Sequence, residues 1–209
     1  MMRSSRVIKS KRKRNIIVSL CDTTGTWSQP FADNGFDVLR FDLSEGLEND
    51  ARLLTIAHDL QGKIYGVISA PPCNHFCIGG AHLWHRKNRS HIIQGMSVID
   101  ACIRISVMSQ PYFWALENPP GRLHHWLGEP RYKFQPYWFG DPYSKYTYLW
   151  GRFNTNLVEH RVKPVKGHIR NQLNKYSMKY ASFFRSMTPK GFATAFYNAN
   201  SNYEEKWTL

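Results

Sequence analysis

Two short segments of the chain place a nucleophile and an acid directly after apolar runs. Cys73 follows a strand-like run and two prolines, Pro71 and Pro72, which fix the backbone and present the thiol at the end of that run. Glu117 ends a second apolar run. A thiolate is nucleophilic near neutral pH, and apolar surroundings raise the pKa of a carboxylic acid so that it can donate a proton. This pair suits thiol addition to a ring that must be protonated at the same time.

Both residues also have ordinary structural explanations. A free cysteine is most often a small buried side chain, and a glutamate at a strand end can be held by backbone amides. The two prolines before Cys73 favour the functional interpretation, because a rigid backbone suits a nucleophile. Cationic residues that follow closely, such as Arg86 and Lys87, favour a reactive thiolate as well.

The surrounding sequence alternates between strand-like and helix-like patterns. Short apolar runs predict strands at residues 16–20, 37–43, 65–70 and 112–117. Helical patterns predict helices at residues 27–36, 51–60, 90–109 and 188–200, the last with Thr188 as its cap. Two further β-rich segments follow each other without room for a helix, at residues 134–140 and 145–151. This order predicts an α/β fold with a mixed, mostly parallel sheet that ends in an antiparallel hairpin.

A second set of residues at predicted strand ends suits a cofactor. Gly25 and the small residues around it follow the first strand, and they would let the backbone approach a ligand at the start of a helix. Asp42 ends the second strand, where a carboxylate can accept hydrogen bonds from two ribose hydroxyls. The pattern favours a nucleoside-containing cofactor. The sequence has no phosphate-loop motif, so hydrolysis of nucleoside triphosphates is not supported.

Composition and charge limit the class of partner. The chain has 209 residues, 42% of them hydrophobic, which suits one domain, and its net charge of +13 favours a polyanion such as nucleic acid. Residues 1–14 are a basic run, interpreted as a flexible tail without the apolar segment of a secretory signal. No stretch approaches the length of an apolar membrane span, and the four cysteines are too few for a disulfide scaffold. We therefore expect a cytoplasmic protein that does not bind membranes.

With these segments in this order, the chain resembles the cytosine carbon-5 DNA methyltransferases, and in particular their compact phage members, over most of residues 15–200. The resemblance implies a Rossmann-like methyltransferase fold, DNA as partner and S-adenosyl-L-methionine as cofactor. It implies that Cys73 is the nucleophile and that Glu117, followed by Asn118, is the acid that protonates the base. The cofactor-binding residues that it implies are Asp22, Thr23, Gly25, Thr26, Trp27, Asp42, Asp50 and Pro71.

The chain departs from this family in two places. Lys145 and Thr147 stand where the family has two arginines, so Lys145 is the candidate cation near the cytosine, without the bidentate geometry of arginine. The basic segment 152–187, inserted in a single catalytic domain at 15–209, is short for a target-recognition region. Recognition is therefore expected to be short, relaxed or supplied by a separate specificity subunit.

Three other interpretations of the sequence stay open. An amino-directed DNA methyltransferase would share the fold, but Cys73 stands where that class stacks the target base on an aromatic residue. A catalytically idle DNA-binding subunit would explain the missing arginines. A zinc-dependent nucleic-acid binder would hold the metal with a cluster of cysteine and histidine residues, whose spacing in the sequence is irregular. The members of that cluster are Cys73, His75, Cys77, His82 and His85. The transferred one-carbon group and the target sequence are also open.

Overall fold

The structure is a computed structural model that describes residues 14–56, 60, 62–173 and 176–205. The predicted basic tail at 1–14 lies outside the described residues, except for Arg14. The guanidinium of Arg14 lies 4.8 Å from the centre of the Tyr112 ring and donates a hydrogen bond to the Gln110 carbonyl. The end of the predicted tail is therefore attached to the folded chain.

A six-stranded sheet organises the chain, in the order β2-β1-β3-β4-β6-β5. Its strands are β1 Ile16–Leu20, β2 Asp37–Phe41, β3 Ile64–Ser69, β4 Phe113–Asn118, β5 Tyr132–Phe134 and β6 Thr147–Arg152. The first four strands are parallel, whereas β6 is antiparallel to β4 and β5 is antiparallel to β6. The prediction of a Rossmann-like mixed sheet with a C-terminal antiparallel hairpin is confirmed. The strand predicted at 134–140 is wrong beyond its first residue, because β5 ends at Phe134 and Pro136 starts a 3₁₀ turn.

Helices cover both faces of this sheet. They are α1 Gln29–Asp33, α2 Arg89–Ser109, α3 His124–Leu127, α4 Ile169–Leu173, α5 Met178–Ser186 and α6 Lys190–Asn200. Every residue of β1 and of β3 is buried, which explains why these strands are continuous apolar runs without alternation. One core layer packs Trp27 and Phe31 against Phe192 and Phe196 of α6, and the other packs α2 against the opposite face of the sheet.

Two predictions of helical structure are wrong. Residues 51–56 of the predicted helix 51–60 form a turn and irregular chain, and residues 57–59 lie outside the described part. The Asp50 carboxylate accepts a hydrogen bond from the Arg52 amide, and such local bonds compete with the helical ladder. Thr188 does not cap α6, which begins at Lys190 after Pro189. The carboxylate of Asp141 instead accepts a hydrogen bond from the Gly191 amide at 2.8 Å.

The long helix α2 bears on the expectation that no stretch of the chain is long and apolar enough to span a membrane. With 21 residues and a mean hydropathy of 1.4, it has the length and composition of a membrane span. Core helices of globular proteins meet the same criterion, and Ile99, Cys102 and Ile105 of α2 are fully buried against the sheet. By length and composition, α2 is the one such helix among the described residues.

The attachment of α6 to the sheet is expected to depend on Phe192, which is fully buried and stacks on Phe134 with ring centres 4.0 Å apart. Phe192→Ala should lower the free energy of unfolding by about 3–5 kcal/mol, because it leaves a cavity between α6 and the sheet. Asn198→Ala, at an exposed position of the same helix, is the matched control and should change it by less than about 0.5 kcal/mol. Urea unfolding followed by circular dichroism measures both values, and equal stabilities for the two variants would contradict this packing.

Candidate active site

The segments that carry Cys73 and Glu117 lie side by side because β3 and β4 are neighbouring parallel strands. The fully buried Asn118 donates a hydrogen bond from Nδ2 to the Pro71 carbonyl at 2.9 Å, which ties the end of β4 to the loop after β3. The Asn118 Oδ1 atom has no hydrogen-bond partner among the described residues. One end of this amide therefore fixes the loop, and its Oδ1 atom is a buried acceptor at the same place.

Two backbone hydrogen bonds hold the same two loops together further along the chain. The Ile78 amide donates to the Pro120 carbonyl, and the Arg122 amide donates to the Phe76 carbonyl, both at 2.8 Å. Gly121 lies at this contact, where a Cβ atom would approach the Phe76 carbonyl oxygen to 1.9 Å. Only glycine fits, so the diproline-glycine sequence after Asn118 is a requirement of loop packing.

Glu117 lies in a nearly buried position with a cation beside it. Its side chain is 11% exposed, and its Oε1 atom lies 3.7 Å from Nζ of Lys145, whose side chain is 12% exposed. Lys145 belongs to the connection between β5 and β6, and it also donates a hydrogen bond to the Met187 carbonyl at 3.4 Å. Glu117 Oε1 has no hydrogen-bond partner among the described residues. This oxygen is buried, and the Lys145 ammonium is the charged group beside it.

Cys73 is partly exposed and begins a tight turn, because its carbonyl accepts hydrogen bonds from the Phe76 and Cys77 amides. The hydrogen bond between its side chain and Cys77 raises the pKa of the Cys73 thiol, and burial raises it further. The negative charge of Glu117 acts in the same direction, whereas Lys145 lowers this pKa. Cys73, Glu117 and Lys145 thus form one electrostatic group, which we call the thiol-acid site.

The loop after β1 meets the end of β2 at the same edge of the sheet. Gly25 adopts a left-handed backbone with φ +66°, and Arg40 covers the space that a Cβ atom would need there. Asp42 is buried and accepts hydrogen bonds from Thr23 Oγ1 at 2.9 Å and from the Ser44 amide at 2.9 Å. This arrangement fits a nucleoside ligand at the ribose position, because a carboxylate has further lone pairs to accept hydroxyl hydrogen bonds.

Other residues predicted to contact the cofactor have contacts within the protein. Trp27 is fully buried between Phe192 and Phe196, so its ring belongs to the core. Asp22 accepts hydrogen bonds from Ser19 and Ser28 within the loop, and burial raises the pKa of its carboxyl.

The remaining predicted cofactor residues belong to three different loops, which follow β1, β2 and β3. Thr26 shares a hydrogen bond with the Thr24 hydroxyl, and Pro71 is the carbonyl partner of Asn118. Asp50 is paired with Arg52, and hydrogen bonds from that side chain lower the pKa of the Asp50 carboxyl. Asp42 and Gly25 are both buried, at the end of β2 and in the loop after β1.

Several residues at the site were not assigned from the sequence. The Cys77 amide donates a hydrogen bond to the Cys73 carbonyl at 2.9 Å, a consequence of four-residue spacing across a turn that the sequence does display. The position of Arg40 over Gly25 depends on the register of β2 against β1, which the sequence does not show. Tyr143 lies near Glu117, and burial raises its pKa, with further contributions from Asp141 and Glu117. No signal in the sequence marks Tyr143, because it follows an irregular turn.

The zinc interpretation has no geometric support. Within the described residues, no three side chains of histidine, cysteine, aspartate or glutamate converge on a point that could hold a metal. His75 stacks on His91 instead, with ring centres 5.8 Å apart. The side chain of His82 lies outside the described atoms.

Comparison with known proteins gives a limited result. No protein-family model matches the chain, and no curated protein matches it. Among solved structures, it is similar to a protein described as a DNA modification methyltransferase encoded within a prophage of E. coli. The identity is 18% and the TM-score 0.49, and the match covers 78% of this chain and 55% of that one. The chain thus spans about half the length of this structure, and its function has to be argued from the thiol-acid site.

The contact at Gly121 is expected to control the position of Cys73. Gly121→Ala should destabilise the protein and shift the loop 73–78, because the new methyl group would overlap the Phe76 carbonyl. Gly79→Ala adds the same methyl group where no atom lies within 4 Å, and it is the matched control. Thermal unfolding, together with the rate of Cys73 alkylation, measures the effect. Indistinguishable behaviour of the two variants would contradict the packing of the two loops.

Proposed function

We infer that this protein is a DNA (cytosine-5-)-methyltransferase. The observation that carries the proposal is the thiol-acid site, in which a cysteine and a nearly buried glutamate follow adjacent parallel strands. Asn118 fixes the two segments to each other, and Lys145 supplies a positive charge beside the acid. A thiol and a carboxyl group in this arrangement suit nucleophilic addition to a ring that is protonated in the same step.

The reaction follows from the roles of these groups. The Cys73 sulfur adds to carbon 6 of cytosine while Glu117, in its acid form, gives its proton to nitrogen 3. Carbon 5 then becomes nucleophilic and accepts a methyl group. A base then removes the carbon 5 proton as the carbon–sulfur bond breaks, which releases the Cys73 thiolate. Nitrogen 3 returns its proton to the Glu117 carboxylate, so the aromatic ring and the acid are both restored. Lys145 lies close enough to Glu117 to stabilise the carboxylate after it has given up its proton.

The methyl donor is expected to bind at the ends of β1 and β2. S-adenosyl-L-methionine, when bound, supplies an electrophilic methyl group. We expect Asp42 to accept hydrogen bonds from ribose hydroxyls beside the loop of Gly25, whose free face is covered by Arg40. Arg40, next to Gly25, is a cation that can attract the carboxylate of the donor, because its guanidinium has donors in addition to those used by Glu45.

DNA is the proposed polyanionic substrate. The net charge of +13 favours phosphate binding, and basic and aromatic side chains surround the loop that carries Cys73. The Arg122 guanidinium lies 3.9 Å from the centre of the Trp84 ring, and Trp126 is 47% exposed. Such residues can bind phosphates and stack bases next to a nucleotide that has been flipped out of the duplex. The basic segment 152–187 is short, which supports recognition of a short DNA site or recognition assisted by a partner protein. Both are compatible with a phage-encoded enzyme that acts in the host cytoplasm.

A covalent adduct is the first specific test. Fluorine at carbon 5 of cytosine cannot leave as a proton does, so after methyl transfer the enzyme should stay bound to DNA that contains 5-fluorocytosine. An adduct that resists denaturation is expected from the wild type with S-adenosyl-L-methionine and from Cys102→Ala, a matched control in the interior of α2. None is expected from Cys73→Ala. Gel electrophoresis measures the adduct, and an adduct formed by Cys73→Ala would contradict the role of this thiol.

The acid is tested by Glu117→Gln, which keeps the shape of the side chain but removes the carboxylic proton. The rate of methyl transfer should fall by about 10²–10⁴-fold, the usual contribution of a positioned acid. Glu129→Gln changes an exposed glutamate that pairs with Lys133, and its rate should stay within about twofold of the wild-type rate. Single-turnover transfer from a radiolabelled donor measures both. A Glu117→Gln enzyme with the wild-type rate would exclude proton donation by this residue.

A further inference from the structure

The long helix α2 has apolar side chains on the side that faces solvent as well as on the side that faces the core. Ile99, Cys102 and Ile105 are buried against the sheet. Ile93 lies on the opposite side of the helix and is 58% exposed. The mean hydropathy of α2 is 1.4 over its most apolar window, but only 39% of that window is buried. Packing on the sheet therefore accounts for one side of α2 and leaves the other side unexplained.

The solvent side of α2 is one wall of a shallow groove with a volume of about 570 Å³. The other wall is Trp126 of α3, which is 47% exposed. The Trp126 ring packs edge-on against the fully buried Phe76, with ring centres 5.6 Å apart, so the core fixes this wall. The residues of α2 that line the groove are Arg89, Ile92, Ile93, Met96, Ser97 and Asp100. Apolar side chains thus occupy the middle of the groove, and a charged residue lies at each end.

The spacing of these residues is symmetrical along the helix. Residues Arg89, Ile93, Met96 and Asp100 follow one another at intervals of four, three and four positions. Alternation of three and four is the spacing of side chains along the seam between two packed helices. The intervals are the same in either direction, so Ile93 and Met96 lie equally far from the midpoint of the series, as do Arg89 and Asp100. An antiparallel pair of α2 helices therefore brings each Ile93 opposite Met96 and each Arg89 opposite Asp100.

The charges at the two ends of the groove are complementary between copies, not within one copy. Arg89 and Asp100 are both exposed, and none of the ion pairs among the described residues includes either of them. At 1.5 Å per residue they lie about 16 Å apart along the helix axis, which is too far for an ion pair within α2. In the antiparallel pair they form two intermolecular ion pairs. A register that set Asp100 against its own counterpart would oppose like charges, so the charges select a single register.

We propose that the exposed side of α2 is the interface of a two-fold symmetric homodimer, in which α2 of a second copy occupies the groove. An interface of this symmetry must be complementary to itself, and an apolar series with arginine at one end and aspartate at the other meets this requirement. DNA is a poorer occupant because Asp100 repels phosphates, and a membrane would place the Asp100 charge in apolar surroundings. The dimer does not depend on the proposed function, because none of these residues belongs to the thiol-acid site.

Exchange of the end charges tests the register. Sedimentation velocity of the full chain without DNA, from about 1 to about 100 µM, should show a monomer that becomes a dimer as the concentration rises. A salt concentration of about 150 mM screens the repulsion between two copies of charge +13. Arg89→Asp and Asp100→Arg should each raise the Kd of the dimer at least about 100-fold, because each places like charges opposite one another. A mixture of the two variants, one of them fluorescently labelled, should form a heterodimer, since every aspartate then faces an arginine.

The apolar middle of the groove is tested separately. Ile93→Glu should also raise the Kd at least about 100-fold, because it places a carboxylate in the centre of the interface. Gln94→Glu adds the same group at the next position, which is exposed and does not line the groove, and it should leave the Kd within about threefold of the wild-type value. Thermal unfolding confirms that all four variants are folded.

The outcomes separate the possible occupants of the groove. Loss of the dimer in each single-charge variant and its return in their mixture support the antiparallel α2 pair. A wild type that stays monomeric over the whole concentration range would overturn the proposal, and co-sedimentation of that monomer with phosphatidylcholine vesicles would assign the face of α2 to a membrane instead. A dimer that persists in Ile93→Glu and in both charge variants would also overturn it, because the copies would then meet through another surface.

Discussion

The hydrogen bond from the Asn118 side chain to the Pro71 carbonyl joins the ends of β3 and β4, and the position of Cys73 relative to Glu117 depends on it. Parallel pairing brings the two strand ends within reach, but it leaves the following loops free to diverge. The side-chain amide and the two backbone bonds around Gly121 remove this freedom. A site that needs two groups in a fixed relation is thus built mainly from backbone contacts.

The antiparallel hairpin supplies the third side of the site. The connection between β5 and β6 brings Lys145 to Glu117, and the same connection attaches α6 through the bond between Asp141 and the Gly191 amide. Stacking of Phe192 on Phe134 then fixes α6 against the hairpin. The helix that closes the core and the lysine that accompanies the acid are therefore positioned by one segment of chain, and a change in either should be transmitted to the other.

The sequence predicted the sheet well because its strands are unusually clear. β1 and β3 are uninterrupted apolar runs, and Pro71 and Pro72 mark the end of β3 without ambiguity. Predictions were less accurate where side chains compete for backbone groups, as Asp50 does in the segment predicted to be helical. The sequence analysis predicts Lys145 near the cytosine, but not its ion pair with Glu117, because that contact depends on the exact course of an irregular loop. Trp27 looked like a ligand contact because the sequence alone does not show that α6 covers it.

The most direct test of the central claim is the chemical identity of the product. The purified protein is incubated with labelled S-adenosyl-L-methionine and unmodified DNA, and the DNA is digested to nucleosides for mass spectrometry, with Cys73→Ala treated in parallel. The account predicts labelled 5-methylcytosine from the wild type and none from the variant. A methyl group on an exocyclic amine that survives Cys73→Ala would contradict the account, and so would a wild type that leaves every DNA unmodified.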